Sequence, residues 1–370
     1  MFGGHLIPSL ATPGCVGGRT LADDDGRHQS GSYRHDPRSS SDSPGPPPFE
    51  HAGRIVSIES AIRADKRFQT TTAIRAEPSA IEAVHDPGLI RFLESAWTDH
   101  QRAYGHTREV VADVFLHARL LDGMAPAAAP EHIGGRLGDW CFETTTPLVE
   151  GTYRAARGAV DAAVTAADLV IGGATTAYAL CRPPGHHAAR SVYGGYCFFN
   201  NAAVAAQRFV DAGSGRVAVL DVDYHHGNGT QQIFYERGDV LYVSLHGDPR
   251  TAYPYVTGYS DESGSGRGAG ANLNLPLPAG TGDDAFLQAL HRGLDAITAF
   301  GVESLVVSLG LDTYIDDPIC DHAVTTEGFA ACGAAVEALG LPTLVVQEGG
   351  YDVASLGRNA VAWLGALADR

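Results

Sequence analysis

From about Tyr153 onward, short apolar runs bounded by Gly, Pro or Asp alternate with Ala-rich segments of helical length. The apolar runs cover 178–181, 216–220, 240–245, 304–309 and 343–346; helical segments cover 202–212, 284–300 and 326–339. A strand that is apolar on consecutive residues must be buried on both faces, and strands joined through helices run parallel. The pattern therefore predicts an α/β fold: an open, mainly parallel sheet with helices on both faces. With 370 residues, 44% of them hydrophobic, the chain can bury one large core, so a single catalytic domain is expected over 49–370.

The remainder is less regular. Residues 1–48 are rich in Gly, Ser, Pro, Asp and Arg without apolar periodicity, and are expected to form an irregular N-terminal extension. Over 87–100, Leu89, Ile90, Leu93, Ala96 and Trp97 recur at three- and four-residue spacing, which predicts an amphipathic helix. A second irregular stretch is expected at about 121–150. Loops of that length inside a compact domain are usually functional rims or interfaces.

In a parallel sheet, ligands bind beyond the carboxyl ends of the strands, so the residues just past each apolar run carry the most information about chemistry. Four runs lead into polar motifs: Arg182-Pro183-Pro184-Gly185-His186-His187; Asp221-Val222-Asp223-Tyr224-His225-His226-Gly227-Asn228; Gly310-Leu311-Asp312; and Gln347-Glu348-Gly349-Gly350-Tyr351. Histidines, carboxylates and a tyrosine are thus expected on one rim. Asp221, Asp223 and His225 are spaced by two, which puts their side chains on one face of an extended segment. Such mixed N and O donors, completed by Asp312 from another strand, describe a catalytic metal site with an open position. Zinc suits the set, and its oxygen ligands leave Fe, Co or Mn open. Taken singly, an Asp-x-Asp at a strand end is as readily a helix cap or turn, and a His-His pair in a Gly-Pro loop surface polarity. It is their joint placement that argues for chemistry.

The net charge of −17 disfavours a surface built to neutralise phosphates, so no nucleic-acid partner is expected. The six cysteines include no C-x-x-C pair and are expected to be reduced, mostly buried thiols. No apolar run approaches the ~20 residues that span a bilayer, and the N-terminus lacks a basic region followed by an apolar core. A cytoplasmic protein with no membrane partner is expected. The oligomeric state, a homo-oligomer included, stays open.

At these residues the chain resembles the histone deacetylase family, which includes the bacterial acetylpolyamine amidohydrolases. The motifs R-P-P-G-H-H, G-G-Y-C-F-F-N-N, D-V-D-Y-H-H-G-N-G-T, V-S-L-H, S-L-G-L-D-T and E-G-G-Y occur in the family's order, and the likeness covers about 80–370. The resemblance implies the arginase–deacetylase fold and removal of an acetyl group from an acylated amine, either small molecule or peptide. It implies that Asp223, His225 and Asp312 hold one zinc ion, that His187 is the general base and that His186 remains protonated. Tyr351 would donate to the developing oxyanion. His186 would be oriented by Asp221 and His187 by Asn228; a carboxylate partner favours imidazolium and an amide does not. A structural potassium ion is implied at Asp221, the main-chain oxygens of Asp223 and His225, Ser244 and Leu245.

Gly195 and Tyr196 look like the wall of the family's acyl channel, and Ile319 falls at its rim. The segment 133–141 looks like the rim of acetylpolyamine amidohydrolases, but where those enzymes place acids this chain has Gly134 and Thr145, with Glu131 and Glu143 close by. Two other readings stand beside deacetylation. A dinuclear manganese ureohydrolase would need further bridging carboxylates, where this chain has Tyr224 and Asn228. A catalytically silent acyl-lysine binding module would have eroded the base or the oxyanion donor, yet His186, His187 and Tyr351 are present.

Overall fold

The computed structural model describes residues 14–17, 49–124 and 128–368. Its strands are β1 (Gly14–Gly17), β2 (Gln69–Thr72), β3 (Thr176–Leu180), β4 (Val217–Asp221), β5 (Val240–Gly247), β6 (Asn272–Leu277), β7 (Ser304–Leu309) and β8 (Thr343–Gln347). They form one sheet in the order β2-β1-β3-β8-β7-β4-β5-β6, and every pairing is parallel. The helices are α1 (Gly53–Ala64), α2 (Pro78–Glu82), α3 (Pro87–Tyr104), α4 (Ile133–Trp140), α5 (Thr152–Ile171), α6 (Asn201–Asp211), α7 (Asn228–Phe234), α8 (Asp283–Phe300), α9 (Thr326–Glu337) and α10 (Val353–Ala368). The open parallel α/β architecture expected from the sequence is the one observed.

Alternation along each strand divides the apolar core into two layers. Ala177, Ala179, Val217, Val219, Val306, Leu344 and Val346 face a layer built with α3, α5 and α6. Tyr178, Leu180, Ala218, Leu220, Leu305, Val307 and Val345 face the other, built with α1, α8, α9 and α10. Strands β3, β4, β5, β7 and β8 are buried along their whole length, which is why they read as unbroken apolar runs. Each fully buried Leu or Val contributes about 1.5–3 kcal/mol relative to exposure. On α5 the inward face is largely alanine, which lets the helix lie close to the sheet.

Local signals fix the helix ends. Pro87 starts α3 behind Asp86, whose carboxylate accepts from Gly88 N at 2.6 Å, and Asn200 caps α6 by accepting from Ala203 N at 2.9 Å. Helix α8 stops at Gly301 in the left-handed region.

Several elements depart from expectation, β1, α4 and β6 among them. Gly14–Gly17, inside the segment expected to be irregular, form β1 between β2 and β3; residues 1–13 and 18–48 lie outside the described residues. Parallel neighbours on both sides supply its hydrogen bonds, so four residues suffice without a legible period. Helix α4 interrupts the expected irregular stretch 121–150. Its three glycines argue against a helix, but Ile133 and Leu137 are buried beneath it, and Gly138 admits the Val114 carbonyl where a Cβ would collide. The edge strand β6 carries Pro276, which obscured it in the sequence. Among the described residues no helix is long and apolar enough to cross a membrane.

Candidate metal and catalytic site

Strands β3, β8, β7 and β4 are consecutive neighbours at the centre of the sheet, so the loops leaving their carboxyl ends meet. Those loops carry the four motifs. Asp221 is the last residue of β4, and the chain beyond it brings Asp223 and His225 against Asp312, which lies just past β7. His225 Nδ1 lies 3.3 Å from Asp223 Oδ1 and 3.1 Å from Asp312 Oδ2.

Backbone donors aim both carboxylates. Asp223 accepts from His225 N at 2.9 Å and from Gly349 N at 2.8 Å, and Asp312 accepts from Tyr224 N at 2.8 Å. Both aspartates are fully buried. Burial opposes ionisation of Asp223, but the positive charges of His186 and His225 outweigh it and hold its carboxyl well below the usual range. Burial, followed by the charge of Asp223, pushes Asp312 up to about 7. Two buried carboxylates converging on one imidazole nitrogen suit a divalent cation, which would satisfy all three acceptors and remove their repulsion. The donor set therefore fits the expected zinc.

The histidine pair lies beside this cluster. His186 Nδ1 is 3.1 Å from Asp221 Oδ2, whose other contacts include the Tyr242 hydroxyl at 3.0 Å. His187 Nδ1 is 2.7 Å from Asn228 Oδ1. Burial disfavours a charge on His186, but Asp223 and Asp221 outweigh it and raise its pKa to about 10. Burial, reinforced by the charges of His186 and His225, drives His187 well below 6.5. Two adjacent imidazoles thus differ in proton affinity, with the lower value of His187 set by burial and neighbouring charge against the opposing Asn228 hydrogen bond.

Tyr351, beyond β8, is buried between Arg54, Phe49 and Tyr196. The Arg54 guanidinium lies over its ring at 4.8 Å, and the rings of Tyr196 and Phe49 are 6.0 and 6.5 Å away. Burial pushes its hydroxyl well above its usual pKa, so it remains a donor at neutral pH. Asp317 joins the Tyr351 turn to Ile319, accepting from Tyr351 N at 2.8 Å and Ile319 N at 3.1 Å. Ile319 itself is half-buried.

Gly195 and Tyr196 are the two central residues of a tight turn closed by reciprocal hydrogen bonds between Gly194 and Cys197, with φ of 60° and 64°. That mirror-image turn is costly for a tyrosine, and it presents a half-buried ring rather than a core one. A Cβ at Gly195 would strike the His187 ring. Glu143 supports the turn by accepting from Gly195 N at 3.0 Å, and its carboxylate also takes bonds from Thr145 and Thr146. Thr146 in turn accepts from Tyr196 N at 2.8 Å.

Sequence reasoning missed three contributors. Arg54, fully buried on α1, donates to the carbonyls of Glu348 and Gly350, each at 2.6 Å; nothing in the α1 pattern marks it as different from a surface arginine. The Tyr253 ring stands nearly perpendicular to His187 at 5.0 Å and to His225 at 6.0 Å. It lies six residues beyond β5, so the strand-end criterion applied there reaches it. Cys320 brings a sulfur within 4.8 Å of donor atoms of His225 and Asp312. Of the other described cysteines, Cys141, Cys181, Cys197 and Cys332 are free and buried.

Residues 48–367 match the histone deacetylase domain family. The chain is 44% identical over 322 residues to an acetylpolyamine amidohydrolase of Mycoplana ramosa, covering 87% of this chain and 93% of that protein. It is 47% identical over 281 residues to acetylpolyamine amidohydrolase 2 of Pseudomonas aeruginosa, covering 76% and 80%. Its fold is similar to a crystal structure of an acetylpolyamine aminohydrolase from Burkholderia pseudomallei, with a TM-score of 0.81 and 40% identity over 88% of this chain and 93% of that one.

Proposed function

The chain belongs to the histone deacetylase family of amide hydrolases, and on that premise we propose that it is a zinc-dependent deacetylase acting on an acetylated amine. The observation that carries this reading is the convergence of Asp223, His225 and Asp312 beside two histidines with opposite proton affinities.

Asp223 Oδ1, His225 Nδ1 and Asp312 Oδ2 would hold zinc, which when bound supplies a Lewis acid to the amide carbonyl and to the attacking water. His187, neutral and held through Nδ1 by Asn228, takes the water's proton at Nε2 and returns one to the leaving amine. His186, kept as imidazolium by Asp221, stabilises negative charge without exchanging that proton. Tyr351 donates its hydroxyl to the developing oxyanion, a charge that appears only in the transition state. Tyr196, with Gly195 and Ile319, lines the passage for the aliphatic linker, and Tyr253 flanks it from the His187 side. Asp221 sits opposite Ser244 in the β4–β5 register. With main-chain oxygens of Asp223, His225 and Leu245, these two residues would hold potassium as a fixed charge beneath the loop.

Relatives named for acetylpolyamines make that substrate class the first to test. Glu143, however, is engaged by Gly195, Thr145 and Thr146, so it does not stand free to receive a distal ammonium group. Asn228 is engaged by His187 and Tyr224 by Asp321, which leaves no support for the bridging carboxylates of a ureohydrolase. The test is hydrolysis by the zinc-loaded protein of N-acetylputrescine, N-acetylspermidine and an acetyl-lysine peptide, compared by kcat/KM. Hydrolysis of any of them supports the reading, and the ranking identifies the amine. No turnover of any acetylated amine by protein with stoichiometric zinc would overturn it.

A further inference from the structure

Resting on that reading, we propose that Glu348 is a positioning residue whose carboxylate cross-links the histidine loop to the Tyr351 turn and so fixes the geometry in which base and oxyanion donor meet the substrate. The parallel ladder between β3 and β8 ends at the pair Ala179 and Val346. Beyond it the two chains that carry His186, His187 and Tyr351 diverge into loops. Glu348 continues the connection with its side chain. Its Oε2 accepts from Gly185 N at 2.6 Å and His186 N at 3.1 Å, and its Oε1 accepts from Ser308 Oγ on β7 at 3.2 Å.

The backbone of the same residue is held just as closely. Its N–H donates to Leu309 O at 2.9 Å, and its carbonyl accepts from Arg54 at 2.6 Å. Glu348 is fully buried, so without its carboxylate two buried N–H groups would lie beside the reacting centre with no acceptor. What the histidine loop requires is one oxygen at this reach that accepts from both N–H groups, the role of Oε2. Glutamine retains an acceptor at the same reach, aspartate is one methylene too short to span both loops, and alanine provides none.

The experiment compares Glu348→Gln, Glu348→Ala and Glu348→Asp in the full-length, zinc-loaded chain. Steady-state kinetics are measured on the acetylated amine that the wild type hydrolyses fastest. Loss of an orienting contact of this kind costs roughly 10- to 100-fold. The expected result is a kcat lowered by about that factor in Glu348→Ala, with KM within about threefold and zinc content unchanged, while Glu348→Gln stays within about threefold of wild type. Wild-type kcat in a folded Glu348→Ala, or a Glu348→Gln as impaired as Glu348→Ala, overturns the proposal. If Glu348→Ala fails to fold, Gln against Asp decides it: equal kcat in those two overturns the cross-link. The imidazole ¹⁵N resonances of His186 read the same geometry without turnover. They are expected to move in Glu348→Ala, or in Glu348→Asp if the alanine variant does not fold, and to hold in Glu348→Gln. This readout separates failure of the cross-link from an inactive wild type, which would instead count against deacetylation.

Discussion

The Nδ1 of His187 meets the amide oxygen of Asn228 at 2.7 Å, while its neighbour His186 meets a carboxylate. The amide accepts a hydrogen bond without contributing charge, and burial together with the charges of His186 and His225 keeps His187 neutral and available as a base. Activity should therefore fall on the acid side as His187 becomes protonated, below its ordinary value, and on the alkaline side as His186, raised by its carboxylate neighbours, loses its proton. In Asn228→Asp the new carboxylate stabilises the imidazolium of His187, and the acid limb of the kcat/KM profile should move to higher pH by about 1–3 units. An unmoved acid limb would remove His187 as the group that titrates there.

Tyr351→Phe keeps the ring that packs under Arg54 and removes only the hydroxyl. Zinc content and thermal stability should remain at wild-type values while kcat drops by about 10²–10³, the usual consequence of losing one oxyanion donor. Unchanged kcat would take the hydroxyl out of the mechanism.

Asp312→Ala deletes one of the two carboxylates that face His225 Nδ1. Elemental analysis after dialysis should find zinc far below stoichiometric, with turnover lost in proportion. Full zinc occupancy in this variant would mean that the ligand set has been misassigned.

Arg54→Met preserves most of the aliphatic volume but removes the guanidinium that donates to the carbonyls of Glu348 and Gly350. Arg54 also pairs with Glu50 at 3.0 Å, and removing one member of a buried ion pair costs about 3–5 kcal/mol. The thermal midpoint should fall by several degrees and kcat with it, since the Tyr351 ring also loses its support. A variant as stable and active as wild type would show that other groups hold the turn.

The central strands were legible because burial on both faces leaves an unbroken apolar run, and β7 was placed to the residue. The chemistry-bearing loops were legible because a parallel sheet delivers its functional residues at one end. Other elements failed for identifiable reasons. β2 is exposed along its length and β1 has only four residues, so neither carries a hydrophobic period. α4 is held by tertiary contacts against its own glycine content. Arg54 lies on an amphipathic helix whose pattern does not distinguish a buried guanidinium from a solvated one. Glu348 was visible within its motif, but its partners come from β7 and the β3 loop and exist only in three dimensions.

The reacting groups lie within seven residues of the carboxyl ends of β3, β4, β7 and β8, whereas Glu143 and Tyr253 lie on the α4–α5 and β5–β6 connections, which carry none of them. Gly195 and Tyr196 share the β3 connection with His186 and His187, and Ile319 shares the β7 connection with Asp312. Exchange of either of these shared connections would carry passage and reacting residues together; only the connections bearing Glu143 and Tyr253 can change without moving a reacting group.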